Sequence, residues 1–460
     1  MFVYRILAIA LAGALATPLA AQTGAPAAAA TAGAAQPAAQ QITFDDAVAI
    51  ALRQNTAVLQ AKNATAADAS NVQQQKLSFL PSLNLNANTG QNYGRSFSQT
   101  EGAIVNQTTQ SLNAGVSSSV TLFNGLKNVT SLKQAQLGEQ AGNQDLARAR
   151  QTAVFTVASN FLSLITAQEQ LAVQQQSLTA QQALEQQIEK FVQAGTRPVS
   201  DQYQQQATVA SQQATVVDAQ NTLEKAKVDL IQTLQLDPAR PYDFVAPVIS
   251  QDSVAPQYDL DNLVARALAQ RADLDAQESR VGAAQQGVKA AAASKWPSIS
   301  LSAGYNSSFS SAGNPAFLDQ LDQHRGGSLS IGVSIPLFDN GATEAATERA
   351  QIAADNAKLD LSSQRQQVAL DVRRAYLDYQ SAQQRLKAAQ AQQKAADLAL
   401  QTSEQRYRVG AATLVEVTQA QSAAVQAASA LVNARYTLVF QQALMSYYTG
   451  ELDPAHIALG

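Results

Sequence analysis

Between Ser328 and Phe338 the sequence SLSIGVSIPLF alternates with a period of two: Leu329, Ile331, Val333, Ile335 and Leu337 are apolar, and Ser328, Ser330, Gly332 and Ser334 stand between them. That period predicts a β-strand with one apolar and one polar face. Three further stretches carry it: Leu83, Leu85 and Ala87 in SLNLNAN; Leu112, Ala114, Val116, Val120 and Leu122 in SLNAGVSSSVTLF; and Ile299, Leu301, Ala303 and Tyr305 in SISLSAGYN. Strands are therefore expected at about 82–93, 111–123, 298–309 and 328–338.

The quoted stretches hold no charged residue, in a chain that is 14% charged. Their polar faces are Ser, Asn, Thr and Gly, which suit a wet lumen, and their apolar faces suit lipid. The competing reading is an ordinary antiparallel sheet on a soluble core, whose open polar face would carry Lys and Glu. Aromatic residues bracket the strands. Phe79, Phe123, Trp296 and Phe338 stand at the ends that join helical sequence, and Tyr93, Phe97, Tyr305 and Phe309 at or just beyond the opposite ends of the first and third. Rings gather at both water interfaces of a membrane, with about ten tilted residues crossing the hydrocarbon between them. The expected lipid-facing positions are Leu83, Leu85, Val116, Val120, Ile299, Leu301, Leu329, Ile331, Val333 and Ile335, and the expected interfacial rings include Phe123, Trp296, Phe338, Tyr93 and Tyr305. Four strands cannot close a barrel, since the smallest need about eight, and an open edge in lipid leaves backbone groups unpaired. The chain is expected to oligomerise.

Elsewhere the pattern is helical. After Gly125 no proline occurs until Pro198, and after Gly341 none until Pro454. A helix from about 125 to 192 would run roughly 100 Å. Its apolar seam, Val154, Val157, Phe161, Leu164, Leu171 and Leu178, follows a heptad interrupted by Gln168 and Gln175, and the other faces are Gln, Ser and Ala. The helices reverse at Ala194-Gly195-Thr196-Arg197-Pro198, with Pro198 expected at the first helical position, and at Val409-Gly410-Ala411-Ala412, where Thr413 and Glu416 have the spacing of a capping box. Thr43 and Asp259 are expected N-caps, and Pro81 and Pro297 end helices and start strands.

These landmarks are written twice. At a shift of 216, Thr43 matches Asp259, Val48 matches Val264, Leu52 matches Leu268, Pro81-Ser82-Leu83 matches Pro297-Ser298-Ile299 and Gly125 matches Gly341; at 215, Gly195 matches Gly410 and Asp201 matches Glu416. Solenoid repeats span about 20 to 50 residues, so this is duplication of a whole half. The halves, 42–250 and 258–452, each read as a short helix, a longer helix, strand, loop, strand and two very long helices.

Composition narrows the chemistry. Ala and Gln dominate the 460 residues and aromatics are 6%, which suits long thin helices better than a thick core. Cysteine is absent, excluding disulfides, thiolate chemistry and a lipid-modified N-terminal Cys. The net charge of -4, without a basic stripe, gives no reading for nucleic acid. Residues 1–21 read as a signal peptide, with Arg5 before an apolar run from Ile6 to Leu15 and cleavage after Ala21. The Ala/Pro/Gln-rich 22–41 reads as a flexible leader and 453–460 as a tail. The two histidines, His324 and His456, have no ligand-spaced partner, and no nucleotide loop, GxSxG or HExxH occurs. The expectation is no catalytic, cofactor or metal site, with energy for any transport coming from a partner.

In order, FLPSLNLNAN, SSVTLFNG, VQAGTRPVSD, KWPSISLSAGYN, SIPLFDNG, RYRVGAATLVEV and NARYTLVF resemble the TolC-like outer-membrane efflux protein (outer membrane factor) family, from Thr43 to Leu452. The resemblance implies a fold mainly α with membrane β: a homotrimer in which three sets of four strands form one twelve-stranded barrel, continued by a periplasmic α-helical barrel. It implies an exit duct of a tripartite efflux pump or type I secretion system in the outer membrane of a Gram-negative-type bacterium, docked to a periplasmic adaptor (membrane fusion) protein and an inner-membrane transporter. In the family, polar links among the helix turns close the tip. Tyr407 matches the tyrosine that links to an acidic residue of the neighbouring turn, which is Asp201 in this sequence, and Glu416 matches one of two acidic positions ringing the constriction. The second such position is Gln419 and the tip arginine position is Ala412; Arg406, Arg408 and Arg197 are the nearby cations. Gly195, Thr196, Val409 and Gly410 mark the turns where an adaptor would dock. Capping alone also accounts for Asp201, Glu416, Arg406 and Arg408, because carboxylates favour first helical turns and cations last ones. A reading of another class, a soluble periplasmic coiled-coil scaffold, rests on the Ala/Gln-rich helices.

Overall fold

A computed structural model describes residues 40–98, 102–245, 256–313 and 316–452. The expected signal segment, most of the leader, the tail and His456 lie outside them. Among the described residues the first half comprises β1 (Gln40–Ile42), α1 (Phe44–Gln54), α2 (Thr56–Leu77), β2 (Ser82–Ser98), β3 (Ala103–Asn124), α3 (Lys127–Gln193), α4 (Val199–Thr233) and β4 (Tyr242–Phe244). The second comprises α5 (Leu260–Gln270), α6 (Ala272–Ala292), β5 (Ser298–Ser310), α7 (Phe317–Gln323), β6 (Gly326–Ser334), α8 (Ala342–Arg408) and α9 (Leu414–Thr449).

Local chemistry sets the boundaries. Thr43 and Asp46 form a capping box on α1, Thr413 and Glu416 form one on α9, and the Asp259 carboxylate caps α5 by accepting from the Asn262 amide. Pro198 is the N-cap of α4, one position before the place its sequence suggests. The helices α3 and α8 are each 67 residues, about 100 Å. Their return helices are half as long, 35 and 36 residues, where two very long helices were expected in each half. α4 stops at Leu234 because Gln235 turns left-handed (φ 54°) and Pro238 follows, and α9 stops at Gly450 (φ 79°). The shorter α2 and α4 divide the length of α3 between them, both packing on it.

Each half has its own apolar cluster, and the first also takes in Tyr436 and Leu452 of the second half. In the first, Phe161 meets Phe44 and Phe244 edge-on at 5.4 and 6.1 Å, and Val154, Val157 and Leu164 are buried beside it. In the second, Tyr379 packs against Tyr258 at 5.0 Å and its hydroxyl donates to the Pro256 carbonyl at 2.6 Å. Nearer the turn the α3–α4 seam becomes polar: Gln205 donates to Gln181 Oε1 at 2.7 Å, and Gln212 to Gln174 Oε1 at 2.9 Å.

The larger sheet is antiparallel in the order β2-β3-β5-β6, so β2 and β6 are its outer strands. β6 ends at Ser334 instead of reaching Phe338, because its partner β5 begins at Ser298, which pairs with Ser334; Ile335 and Phe338 lie beyond the strand. β3 carries one irregularity. Thr121 pairs with Ser300 and Phe123 with Ile299, leaving Leu122 as the extra residue of a bulge. The long helices of the two halves start from equivalent turns in which Gly125 and Leu126 (φ 66° and 67°) correspond to Asn340 and Gly341 (φ 56° and 76°). The structural shift there is 215, so Gly125 matches Asn340 and not Gly341, as the letters alone suggest.

Candidate functional sites: the strand sheet and the helical turns

Strand register gathers the apolar positions into one face. Leu85 pairs with Val116, Val116 with Tyr305, Val120 with Leu301, Ile299 with Val333, and Leu301 with Ile331. Paired residues of an antiparallel sheet point the same way, so these side chains and those two residues along, Leu83 and Leu329 among them, line one surface. The bulge keeps this surface continuous by setting Phe123 opposite Ile299, the place the simple alternation would give to Leu122. The face is bare within one chain: Leu83, Leu85, Leu329, Ile331 and Val333 are 60 to 78% exposed. Val120, Ile299 and Leu301 on the inner strands are half-buried by their neighbours.

Along β5 and its lead-in, Trp296 and Tyr305 are nine residues apart and both exposed. At about 3.3 Å per residue and a tilt of about 40° their levels would differ by roughly 23 Å, close to the height of the apolar band of an outer-membrane strand. Phe123, Phe338 and Tyr93 are exposed too, and Arg95, the first charge along β2, comes only after Tyr93. Beyond the band, α7 packs on β5 through Phe317 and Phe309 (4.9 Å), and His324 Nδ1 meets the Ser308 carbonyl at 3.0 Å.

At the other end of the long helices the turns are tight. Gly195 (φ 73°) and Gly410 (φ 80°) take the left-handed positions, and the Thr196 amide and hydroxyl both donate to the Phe191 carbonyl. Val409 is 80% exposed, leaving the second turn an apolar point. Between the turns, Arg197 donates to the Tyr407 carbonyl at 2.7 Å while its guanidinium lies 4.2 Å from the Tyr407 ring centre. Tyr407 is buried with Ile188, Ala412, Leu414 and Val417. Burial pushes its phenol up; Arg197 opposes this and the Asp201 carboxylate adds to it. The hydroxyl makes no hydrogen bond of ordinary geometry to Asp201. Arg406 reaches Glu416 at 3.4 Å and donates to the Ala411 carbonyl at 2.9 Å, and Arg408 lies 3.9 Å from Glu404 on its own helix. Ala412, at the position of the family's tip arginine, fills the apolar cluster.

Sequence reasoning missed a second polar knot. Arg148 stacks on Tyr447 at 3.9 Å and donates to the Tyr447 carbonyl, and nearby Arg271 makes a two-pronged bond to Asp273 at 2.6 and 2.9 Å. Gln364 also donates to Asp273. Burial would raise the Asp273 carboxyl, but the bonds from Arg271 and the charges of Arg271 and Arg148 outweigh it and hold it below the usual carboxylate range. Among the described residues no cluster of metal-ligating side chains occurs, and no helix is long and apolar enough to cross a membrane.

A duplicated chain that joins an apolar strand face to helical hairpins about 100 Å long defines a class, the membrane channel with a helical extension. A family model described as outer membrane efflux protein matches residues 47–234 and 263–451, and the chain belongs to that family. It is 24% identical over 385 residues to the outer membrane protein TolC of Vibrio cholerae serotype O1, covering 83% of this chain and 84% of the relative. It is 24% identical over 343 residues to the pyoverdine export outer membrane protein OpmQ of Pseudomonas putida, covering 73% and 69%. The fold matches crystal structures of CusC (TM-score 0.77, 19% identity, 88% of this chain and 92% of that one) and of VceC from Vibrio cholerae (TM-score 0.74, 19% identity, 88% and 96%). The protein is an outer-membrane efflux channel with a long periplasmic helical portion, in a family of channels rather than enzymes.

Proposed function

We propose that three copies pool their sheets in one twelve-stranded barrel, continued by a tunnel of their long helices, as the passive exit duct of a tripartite efflux pump or type I secretion system. The observation that carries the reading is the four-stranded sheet itself. Its apolar face is bare, and among the described residues its outer strands β2 and β6 are each paired on one side only. Neither condition is stable in lipid until the sheet closes on further copies. The polar face, with Asn84, Asn86, Ser302 and Ser330, then lines the lumen. Residues 1–21 are the signal peptide and 22–41 a leader, followed by the repeats 42–250 and 258–452. Trp296, Phe123, Phe338, Tyr93 and Tyr305 form the interfacial girdles. A periplasmic adaptor meets the turns at Gly195, Thr196, Val409 and Gly410, and an inner-membrane transporter supplies the energy.

At the tip, the closed state rests on Arg197 stacked on Tyr407 and on Arg406 joined to Glu416, with Asp201 and Arg408 at the rim. The experiment is fractionation followed by single-channel recording. The protein should travel with outer membrane, migrate as a trimer before boiling, and conduct weakly until the tip is loosened. Arg197→Ala and Asp201→Ala should each raise the closed-state conductance. A protein that washes off as a soluble coiled coil overturns the duct, and unchanged conductance in both variants reduces the tip residues to capping roles.

A further inference from the structure

The chain contains a template for its own seam with a partner. Its halves are equivalent: β2 and β5 begin at Ser82 and Ser298, 216 apart, and the 67-residue α3 and α8 begin at Lys127 and Ala342, 215 apart. The junction of the halves, β3 on β5, therefore joins the second strand of one half to the first strand of the next. β6 is the second strand of a half, and among the described residues no further half follows for it to pair with. We infer that β6 meets β2 of the partner subunit in the register that β3 keeps with β5, so that Ile331 pairs with the partner's Thr89 as Val116 pairs with Tyr305.

Three observations support this register. The first is a pair of glycines. Across the β3–β5 seam, Gly115 stands opposite Asn306 and Ser117 opposite Gly304, and a Cβ on Gly115 would lie 2.9 Å from Asn306 Cβ, so that close pair requires a glycine. Carried to the new seam, the same two pairs become Ser330 with the partner's Gly90 and Gly332 with the partner's Asn88. Each pair again holds one glycine, moved to the opposite strand; at the first pair this preserves the close approach, whereas a Cβ on Gly304 would meet Ser328 Oγ at 3.3 Å and not Ser117, so the second pair repeats only the composition. Gly90 has no such need inside its own chain, where a Cβ would find Ser111 Oγ at 3.6 Å, an ordinary contact. The second is the early end of β6. The register carries pairing on past Ser334, setting Ile335 against the partner's Leu85 and Phe338 against the partner's Leu83, so that β6 runs on to the position equivalent to Phe123 near the end of β3. The third is on the helices. Leu137 of α3 lies 3.3 Å from where a Cβ of Gly282 on α6 would be, and its equivalent, Ile352, is 54% exposed. The new seam sets Ile352 on the partner's Ala66, another small residue. The copy is inexact where Asn340 replaces Gly125, whose missing side chain admits the Ala293 carbonyl. At that level the partner's Leu77 must stand further off.

The inference rests on the trimeric reading and is tested apart from it. The chain has no cysteine, so paired cysteines report contacts directly. Ile331→Cys with Thr89→Cys should give a covalent trimer on a non-reducing denaturing gel. Within one chain these positions are at least three strand spacings apart, about 14 Å or more, too far for a disulfide. Ile331→Cys with Leu85→Cys or with Tyr93→Cys should stay uncrosslinked. Crosslinking at an offset pair in a protein that still trimerises overturns the register and leaves the duct standing; a monomer in the unmodified protein overturns both. Independently, Gly90→Ser should lower the temperature at which the unboiled trimer dissociates by roughly 5 °C, and adding Ser330→Gly should restore it. A Gly90→Ser trimer that dissociates at the original temperature, or one that Ser330→Gly does not rescue, overturns the exchange of glycines.

Discussion

Gly125 and Gly195 both hold left-handed backbone, yet they answer to different demands. A Cβ on Gly125 would run into the Ala293 carbonyl and Trp296, where the start of α3 crosses the end of α6, whereas nothing lies within 4 Å of Gly195. Gly195→Ala should therefore cost about 1 kcal/mol, the backbone preference alone, and Gly125→Ala about 3 kcal/mol or more, because backbone must move as well. Thermal dissociation of the two variants in detergent measures the difference. Asp273 is a residue-scale demand of another kind. Its folded carboxyl titrates below the value of 3.8 it has when unfolded, so its bond to Arg271 is fully stabilising above about pH 5 and is lost as pH falls through the folded value. Asp273→Asn should cost about 3 kcal/mol at neutral pH, since it leaves the Arg271 guanidinium buried without its counter-charge. It should also flatten the acid side of the stability profile below pH 4, which denaturation at a series of pH values would record. Neither Arg271 nor Asp273 stood out in the sequence, because Arg148 and Gln364, which complete the knot, are more than 90 positions away in the chain.

Among elements, what was legible depended on whether a pattern is local. The period of two placed the strands of the larger sheet, and proline-free stretches placed the long helices, because both signals lie within the element itself. The ends of β6 and α4 were not legible: one is set by where β5 begins, the other by a single left-handed glutamine. The tip was half legible. Arg197 could be seen as a cation in a turn, but its seat on Tyr407, 210 positions on, belongs to the packing of two hairpins. The halves also differ where sequence alone gave no reason to look. Gln174 with Gln212 and Gln181 with Gln205 bond across α3 and α4, and the equivalent positions on α8 and α9 are Ala389 with Ala427 and Ala396 with Ala420. Two compositions thus serve equivalent helix pairs, a bonded amide ladder in the first half and small alanines at the same positions in the second, of which Ala389 and Ala427 are buried. Gln205→Ala alone should cost about 1–2 kcal/mol by stripping a buried amide of its partner. Gln205→Ala with Gln181→Ala, which recreates the alanine pair, should cost less than the sum of the two single changes in a double-mutant cycle.

For the whole molecule the decisive quantity is which face of the sheet meets lipid, since barrel closure, stoichiometry and the position of the helices in the periplasm all follow from it. Val333 and Ser334 are neighbours at the end of β6, but Val333 shares its face with Ile299, Ile331 and Leu301, and Ser334 pairs with Ser298 on the other. A charge on the lipid side is disfavoured by about 2–4 kcal/mol at mid-membrane and about 0–1 kcal/mol near the interfaces, and one in a watery lumen by little. Val333, opposite Ile299 and three residues in from the Trp296 level, falls between, at about 1–2 kcal/mol, which three copies multiply to roughly 3–6 kcal/mol per trimer, a large share of the stability of a domain. Val333→Arg should therefore abolish the unboiled trimer band, whereas Ser334→Arg should assemble normally and alter single-channel conductance and ion preference. Equal loss of assembly in both would place lipid on both faces or on neither. A sheet of that kind could not close into a water-filled duct, and the helical hairpins would then extend from something other than a pore.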